Sequence, residues 1–284
     1  MDAVNFMKIA LSTHPENYSK VLARSFLLYR RAFFRVIFLS LVLSIIVFIP
    51  RILTVILRQD LWADVALFNP KRIGFVLIDL ISLTLFTAML WRIRCVITDM
   101  HETFFDDLKT TFRKIPRIIV ASLLQIVMVL AMNLLFFVVI YYMHPETASS
   151  WKIAVPIIIL FFIQFFLAFC IYLLFYFYLP TILIENEGVI SSLTKSASLV
   201  WKNLWRTWIV QVTPWLAYLA CLLFLQVALK INIHIYFIED IHPPTWTSTV
   251  LHIALFALFL PWTATTMITQ LRDLELRKLQ KNPL

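Results

Sequence analysis

The stretch LARSFLLYRRAFFR, residues 22–35, recurs near the other end of the chain as LTKSASLVWKNLWR, residues 193–206. The alignment matches Leu22 with Leu193, Arg24 with Lys195, Ser25 with Ser196, Leu28 with Leu199, Arg31 with Lys202 and Arg35 with Arg206. A weaker third copy lies between them as DLKTTFRKIPR, residues 107–117. Similar segments at a regular interval indicate a repeat architecture, so the chain is predicted to use one unit three times.

Each copy is predicted to form a helix with a basic face opposite an apolar or aromatic face. At about 100° per residue, the cations of the first copy cluster on one side of the helix. A basic amphipathic helix directly before a long apolar run is typical of an interfacial helix at the cytoplasmic surface of a membrane. The side chains predicted to contact lipid head groups are Lys20, Arg24, Arg31, Arg35, Lys195, Lys202 and Arg206.

The middle copy is predicted to be a short helix from about Glu102 to Ile115. Proline lacks an N–H group, and the residue before it is disfavoured in helical conformation. Pro116 is therefore predicted to end this helix before the next apolar run begins.

The composition indicates an all-α membrane protein. Hydrophobic residues make up 61% of the 284 residues and charged residues only 14%, whereas about a quarter of an ordinary soluble domain is charged. Six spans and their connections use nearly the whole length, which leaves no room for a soluble catalytic domain. The net charge of +9 does not indicate a nucleic-acid partner, because the basic residues are dispersed at the ends of apolar runs.

Six apolar runs are long enough to cross a bilayer, at about residues 36–57, 73–91, 118–140, 153–184, 208–228 and 250–268. The fourth run is predicted either to tilt or to break at Pro180 and finish along the surface. An interfacial helix and a hairpin of two spans then form each of three repeats in a single membrane domain. The repeats are predicted at about 17–99, 100–186 and 187–274, with a short charged tail at 275–284.

The distribution of basic residues predicts the orientation. Of the 25 lysines and arginines, 19 fall on the side of the two termini and 6 on the other side. Cytoplasmic ends of spans carry the excess of lysine and arginine. Both termini are therefore predicted to be cytoplasmic, and all three basic helices to face the inner leaflet.

Two blocks carry a resemblance to a known family, LPTILIENEGVISSLTKSASLVWKNLWRTW at 179–208 and LPWTATTMITQLRDLELRK at 260–278. In both, the sequence resembles the YciC-like family of bacterial inner-membrane proteins and the membrane domain attached to some glycerophosphodiester phosphodiesterases. The resemblance implies a six-span protein of the bacterial inner membrane. It implies no catalytic role, because clustered His, Glu and Asp residues like those of the phosphodiesterase domain are absent here.

Asp79 is the only carboxylate well inside a predicted span. An ionisable group at that depth is costly and usually faces the protein interior or water. Asp79 could be a proton or cation site paired with Arg51 or Arg58, but a structural pair or contact with outer water is the favoured interpretation. The other polar residues within spans, Gln125, Asn133, Gln164, Gln211 and Gln226, are predicted to join helices by hydrogen bonds.

Other candidate chemistry is weak. His234, Glu239, Asp240 and His242 crowd one outer connection, but they lack a fixed ligand spacing, so a solvated loop is favoured over a metal site. The three cysteines have no ligand spacing, and no nucleophile comes with an identifiable base. No metal, cofactor or enzymatic activity is predicted.

The leading hypothesis is a non-enzymatic inner-membrane protein that engages phospholipids, preferably anionic ones, or protein partners in envelope organisation. The alternative is a transporter or permease for a lipid or small amphiphilic solute, which Asp79, the prolines within spans and the repeated hairpins favour. A membrane-protein partner and a second copy of the chain are both compatible with the sequence.

Overall fold

The computed structural model describes residues 11–57, 70–100, 103–142, 151–230 and 245–281. All regular structure in these ranges is helical. The α-helices are α1 (Tyr18–Val47), α2 (Ile49–Leu57), α3 (Pro70–Thr98), α4 (Phe104–Tyr142), α5 (Trp151–Leu174), α6 (Tyr178–Ile184), α7 (Val189–Val200), α8 (Leu204–Leu229) and α9 (Trp246–Lys281), with a 3₁₀ turn at Trp201–Asn203 between α7 and α8.

The helices are compatible with the predicted multi-pass membrane protein. Five helical segments in the described ranges are long and apolar enough to cross a bilayer. The number rises to six if α1 and α2, which meet at an angle of 49°, form one bent span. Only closed backbone hydrogen bonding is stable in hydrocarbon, which is why the apolar runs become helices.

The first predicted interfacial helix is not a separate element. Residues 22–35 belong to the same helix as the apolar run that follows them, and α1 continues without a break to Val47. The bend comes at Phe48, two residues before Pro50. Proline cannot donate to the carbonyl four residues before it and crowds that turn, which places the break here.

The prediction that Pro116 ends a helix was wrong. α4 runs for 39 residues with Pro116 inside it. Within a membrane, a helix break would leave further backbone groups without partners, so continuing through a proline is often the smaller cost. The start of α4 is defined by a reciprocal cap, in which the Asp106 N–H donates to Thr103 Oγ1 at 3.3 Å and the Thr103 N–H donates to the Asp106 carboxylate at 3.2 Å.

One compact unit comprises the described residues within 1–113 and 209–284. α9 is its central helix and packs against α1 and α3, which also pack against each other. In α9, 56% of the most apolar window is buried. Ala32, Ala257 and Ala264 are buried, and the Ser40 hydroxyl donates to the Ala257 carbonyl at 2.7 Å. Small residues such as these let helices approach closely in a membrane.

The second compact unit comprises residues 114–208. Its long apolar segment breaks at residues 175–177, three residues before the position predicted from Pro180. Pro180 lies in the first turn of α6, where a missing N–H costs nothing because those groups have no partner within the helix. The break therefore falls ahead of the proline.

Ser196 of α7 satisfies the backbone groups that this break exposes. Its buried hydroxyl donates to the Leu174 carbonyl at 2.7 Å and accepts the Phe177 N–H at 3.0 Å. Phe177 itself is fully buried. A serine from a neighbouring helix thus replaces the two backbone hydrogen bonds, which makes the break tolerable in an apolar setting.

The described part of the predicted charged tail, residues 275–281, continues the packed helix. α9 continues to Lys281, and Asp273 near this end is buried. The Asp273 carboxylate accepts the Glu16 N–H at 2.8 Å, and the Arg277 guanidinium donates to the Glu16 carbonyl at 2.6 Å. These contacts stabilise the end of α9 beyond its apolar part.

Candidate functional site

A groove follows the basic face at the start of α1. Its volume is about 490 Å³, and its lining residues are Glu16, Lys20, Ala23, Arg24, Leu27, Leu28 and Arg31. Spacings of three, four and seven residues place these side chains on one face of a helix. The groove therefore combines three cations, one carboxylate and an apolar floor.

Glu16 holds one of these cations. Its carboxylate accepts two hydrogen bonds from the Arg24 guanidinium, at 2.5 and 3.1 Å. The Glu16 backbone is fixed in turn by Asp273 and Arg277, as described above. This four-residue cluster, Glu16, Arg24, Asp273 and Arg277, is here called the terminal clasp because it ties the start of α1 to the end of α9.

Lowering the pH is expected to weaken the terminal clasp. The hydrogen bond from Arg24 holds the pKa of Glu16 below its ordinary value. A carboxyl with a depressed folded-state pKa stabilises the fold fully above its unfolded-state pKa of about 4.3, and this stabilisation is lost as the pH falls through the folded-state value. Thermal unfolding in detergent at about pH 7 and about pH 3 should therefore show a larger loss for the wild type than for Glu16→Gln. Equal losses would contradict this role.

The first-copy cations that were predicted to contact lipid have different surroundings. Lys20, Arg31 and Arg35 are exposed, whereas Arg24 is half-buried and ion-paired with Glu16. Arg35 is not part of the groove lining.

The cations of the third copy depart further from the predicted lipid contacts. Lys195 is ion-paired with Glu185, with Nζ to carboxylate distances of 2.7 Å, and Arg206 is buried. Lys202 is exposed in the 3₁₀ turn. The signal that sequence reasoning missed is the acidic residue shortly before each basic helix, Glu16 before Arg24 and Glu185 before Lys195.

Two sets of aligned positions in the three segments have similar surroundings. The hydroxyl positions Ser25, Thr111 and Ser196 are all fully buried. The aligned positions Arg31, Arg117 and Lys202 are all exposed, whereas Arg35 is exposed and its counterpart Arg206 is buried. Ser25 accepts hydrogen bonds from the Trp262 indole and the Thr266 hydroxyl, both at 3.2 Å, so it ties α1 to α9 as Ser196 ties α7 to the broken helix end.

The most deeply buried side chains of α1 are not those of the predicted apolar face, which are Leu22, Phe26, Tyr29 and Phe33. Val21, Ser25, Leu28 and Ala32 are buried, while Phe26 is 43% exposed. The predicted apolar face is instead an aromatic ladder in which neighbouring rings lie 5.5–5.7 Å apart along Phe26, Tyr29 and Phe33. Ser25 and Ala32 on the buried face are small, which allows the close approach to α9.

Exposed aromatic side chains accompany the basic positions. Phe34 of α1 is 86% exposed, and Trp201 and Trp205 near Lys202 are 67% and 63% exposed. Tryptophan and other aromatic rings are favoured at the boundary between head groups and hydrocarbon. Cations and aromatic rings thus occur side by side in two copies.

Asp79 lies on an exposed part of α3. Arg51, one of its two predicted partners, is buried and donates to Ser248 Oγ at 2.8 Å and to Thr249 Oγ1 at 3.3 Å. The other predicted partner, Arg58, lies outside the described residues.

Polar pairs join helices inside both units, as predicted for Asn133, Gln164 and Gln211. The Gln164 side-chain amide donates to Asn133 Oδ1 between α5 and α4, and the Gln211 side-chain amide donates to Gln270 Oε1 at 2.6 Å between α8 and α9. The sequence did not indicate a third pair, Tyr218 with His252, whose hydroxyl and Nδ1 lie 2.8 Å apart.

Within the described ranges, no three His, Cys, Asp or Glu side chains come together as a metal site would require. The loop with His234, Glu239, Asp240 and His242 lies outside these ranges. Comparisons with protein-family models, with curated proteins and with solved structures found no match.

Proposed function

We propose that the protein is a non-enzymatic, multi-pass protein of the bacterial inner membrane that engages anionic phospholipids through basic helix segments at the cytoplasmic face and so supports envelope organisation. The observation that carries the proposal is the groove on α1, where Lys20, Arg24 and Arg31 border an apolar floor. An amphiphile with an anionic head group matches both parts of such a surface.

The length of α1 supports a position of this groove at the membrane surface. Thirty residues span about 45 Å at 1.5 Å per residue, whereas the hydrocarbon core is about 30 Å thick. The basic part of α1 would then project from the apolar part into the head-group layer. Each lysine or arginine near an anionic leaflet contributes about 1 kcal/mol of attraction.

Three repeats of basic helix and hairpin, with both termini cytoplasmic, belong to the same proposal. The exposed positions Arg31, Arg117 and Lys202 would then lie in one leaflet, since each begins an equivalent unit. The excess of basic residues on the side of the termini supports this orientation. Membership of the YciC-like family would fit it and is proposed on the two sequence blocks alone.

Neutralising the exposed cations is expected to weaken lipid retention. In Arg31→Gln/Lys202→Gln, anionic lipid should dissociate about fivefold more readily at each of the two helices, the factor that corresponds to about 1 kcal/mol per cation. Both side chains are exposed, so the fold should be unaffected. The measurement is native mass spectrometry of protein released gently from its membrane, titrated with phosphatidylglycerol.

Arg30→Gln/Lys109→Gln is the matched control, because it removes the same charge from exposed positions on α1 and α4 outside the groove. The proposal fails if the two double variants retain the same amount of lipid. Transport of a lipid or small amphiphile stays the alternative proposal, and a proteoliposome flux that is unchanged by Asp79→Asn would count against a role of Asp79 in it.

A further inference from the structure

The cations of the groove are distributed in two places along α1. Lys20 and Arg24 lie one turn apart at its first end, and Arg31 lies about two turns further along. Leu27, which is 60% exposed, and Leu28 lie between the two places. The groove therefore has two basic ends separated by an apolar floor.

Glu16 reduces the charge of the first end. Its carboxylate accepts two hydrogen bonds from Arg24, and Asp273 and Arg277 hold its backbone in place. Lys20 and Arg24 together with Glu16 leave one net positive charge there. Arg31 contributes one positive charge at the second end. Each end thus matches one singly charged phosphodiester.

From this distribution we infer that the groove takes a lipid with two separate phosphodiester groups, a diphosphatidylglycerol-type head group, in preference to lipids with one phosphate. This inference rests on the proposed function and deepens it. One phosphate would be bound by Lys20 and by the donors of Arg24 that Glu16 does not use, and the other by Arg31. Arginine and lysine both bind phosphate oxygens through charge-assisted hydrogen bonds.

Two linked phosphates bind better than two independent ones because the second contact forms within the complex. Linking converts that contact into an intramolecular step with a high effective concentration. A phosphomonoester carries its charges, up to two, on a single phosphate group. One phosphate group cannot contact both basic ends of the groove. The apolar floor of Ala23, Leu27 and Leu28 favours a lipid over a soluble diphosphate.

The test is a native mass spectrometry titration of the full-length protein in detergent with four probes. These are diphosphatidylglycerol, phosphatidylglycerol at twice the molar concentration so that the phosphate is equal, phosphatidic acid, and the deacylated head group of diphosphatidylglycerol. The wild type should bind diphosphatidylglycerol about fivefold more tightly than phosphatidylglycerol at equal phosphate, the gain of one further cation contact. The deacylated head group should bind more weakly than the intact lipid.

Three variants locate the effect. Arg31→Gln should abolish the preference for the two-phosphate lipid, whereas Arg30→Gln should keep it, since Arg30 is exposed on the same helix outside the groove lining. Glu16→Gln raises the net charge of the first end and should increase the binding of phosphatidylglycerol and phosphatidic acid. The preference for diphosphatidylglycerol over these two lipids should therefore become smaller. Equal melting temperatures would show that Arg31→Gln and Arg30→Gln remain folded.

The outcomes separate this inference from the proposed function. Equal binding of all anionic lipids at equal phosphate, or an unchanged preference in Arg31→Gln, overturns the two-phosphate site and leaves anionic-lipid engagement standing. Tight binding of the deacylated head group overturns the lipid as ligand in favour of a free diphosphate. Failure of the Arg31→Gln/Lys202→Gln experiment above would overturn both.

Discussion

Phe177→Ala is expected to lower the free energy of unfolding of the unit at 114–208 by about 3–5 kcal/mol. Phe177 is fully buried at the point where the helical segment breaks between α5 and α6. Its truncation removes a large side chain and leaves a cavity that the surrounding helices can fill only in part. The backbone N–H of residue 177 would still donate to Ser196, so the change isolates side-chain packing.

The loss would be measured by denaturant-induced unfolding in detergent micelles, followed by circular dichroism. Phe165→Ala is the matched control, because Phe165 is 67% exposed in α5 and removing it creates no internal cavity. A loss of the same size in both variants would mean that the Phe177 ring contributes no specific packing at the break.

Asp107→Ala is expected to destabilise the unit that contains α3 and the start of α4 by about 2–3 kcal/mol. The Asp107 carboxylate is fully buried and accepts a hydrogen bond from the Arg92 guanidinium at 2.8 Å. Removing one partner of a buried ion pair leaves the other charge poorly compensated, which costs about 3–5 kcal/mol when both are buried. Arg92 is 22% exposed, so water recovers part of that cost.

The neighbouring carboxylate provides the comparison for this pair. Asp106→Ala removes an equal charge from an exposed position and disrupts only the helix cap with Thr103, so its effect should be clearly smaller. Both variants can be followed by the same unfolding measurement. If Asp106→Ala is as harmful as Asp107→Ala, the buried pair is not what stabilises this region.

The sequence by itself predicted an all-helical chain and the approximate positions of its long apolar helices. An apolar run of about 20 residues becomes a helix in hydrocarbon whatever its neighbours are, because its backbone can be satisfied only within the segment. For the same reason, the apolar runs of the last two spans correspond to α8 and α9. The polar pairs were also predictable in kind, since Gln211 and Gln164 lie within apolar runs where a side-chain amide needs a partner.

The ends of the helices were less predictable. Pro116 was expected to stop a helix and does not. Of the two alternatives for the fourth run, a tilt or a break at Pro180, a break occurs, but it comes three residues before Pro180. A proline in the sequence shows only which backbone N–H group, and so which helical hydrogen bond, is missing. Whether the chain breaks there depends on partners for the freed groups, and Ser196, far along the sequence from Leu174 and Phe177, supplies them at one break.

Only the tertiary structure decided which basic residues are exposed. From the sequence, the cations of the first and third copies were predicted to be one set of lipid contacts. In the structure, Arg24 is ion-paired with Glu16, Lys195 is ion-paired with Glu185, and Arg206 is buried. The carboxylates that Arg24 and Lys195 meet depend on how the preceding segment folds back, and Asp273 and Arg277 at the end of α9 fix the Glu16 backbone in place. A hydrophobic run is a local property of the chain, whereas the charge that a basic face presents is set by the partners that distant segments bring to it.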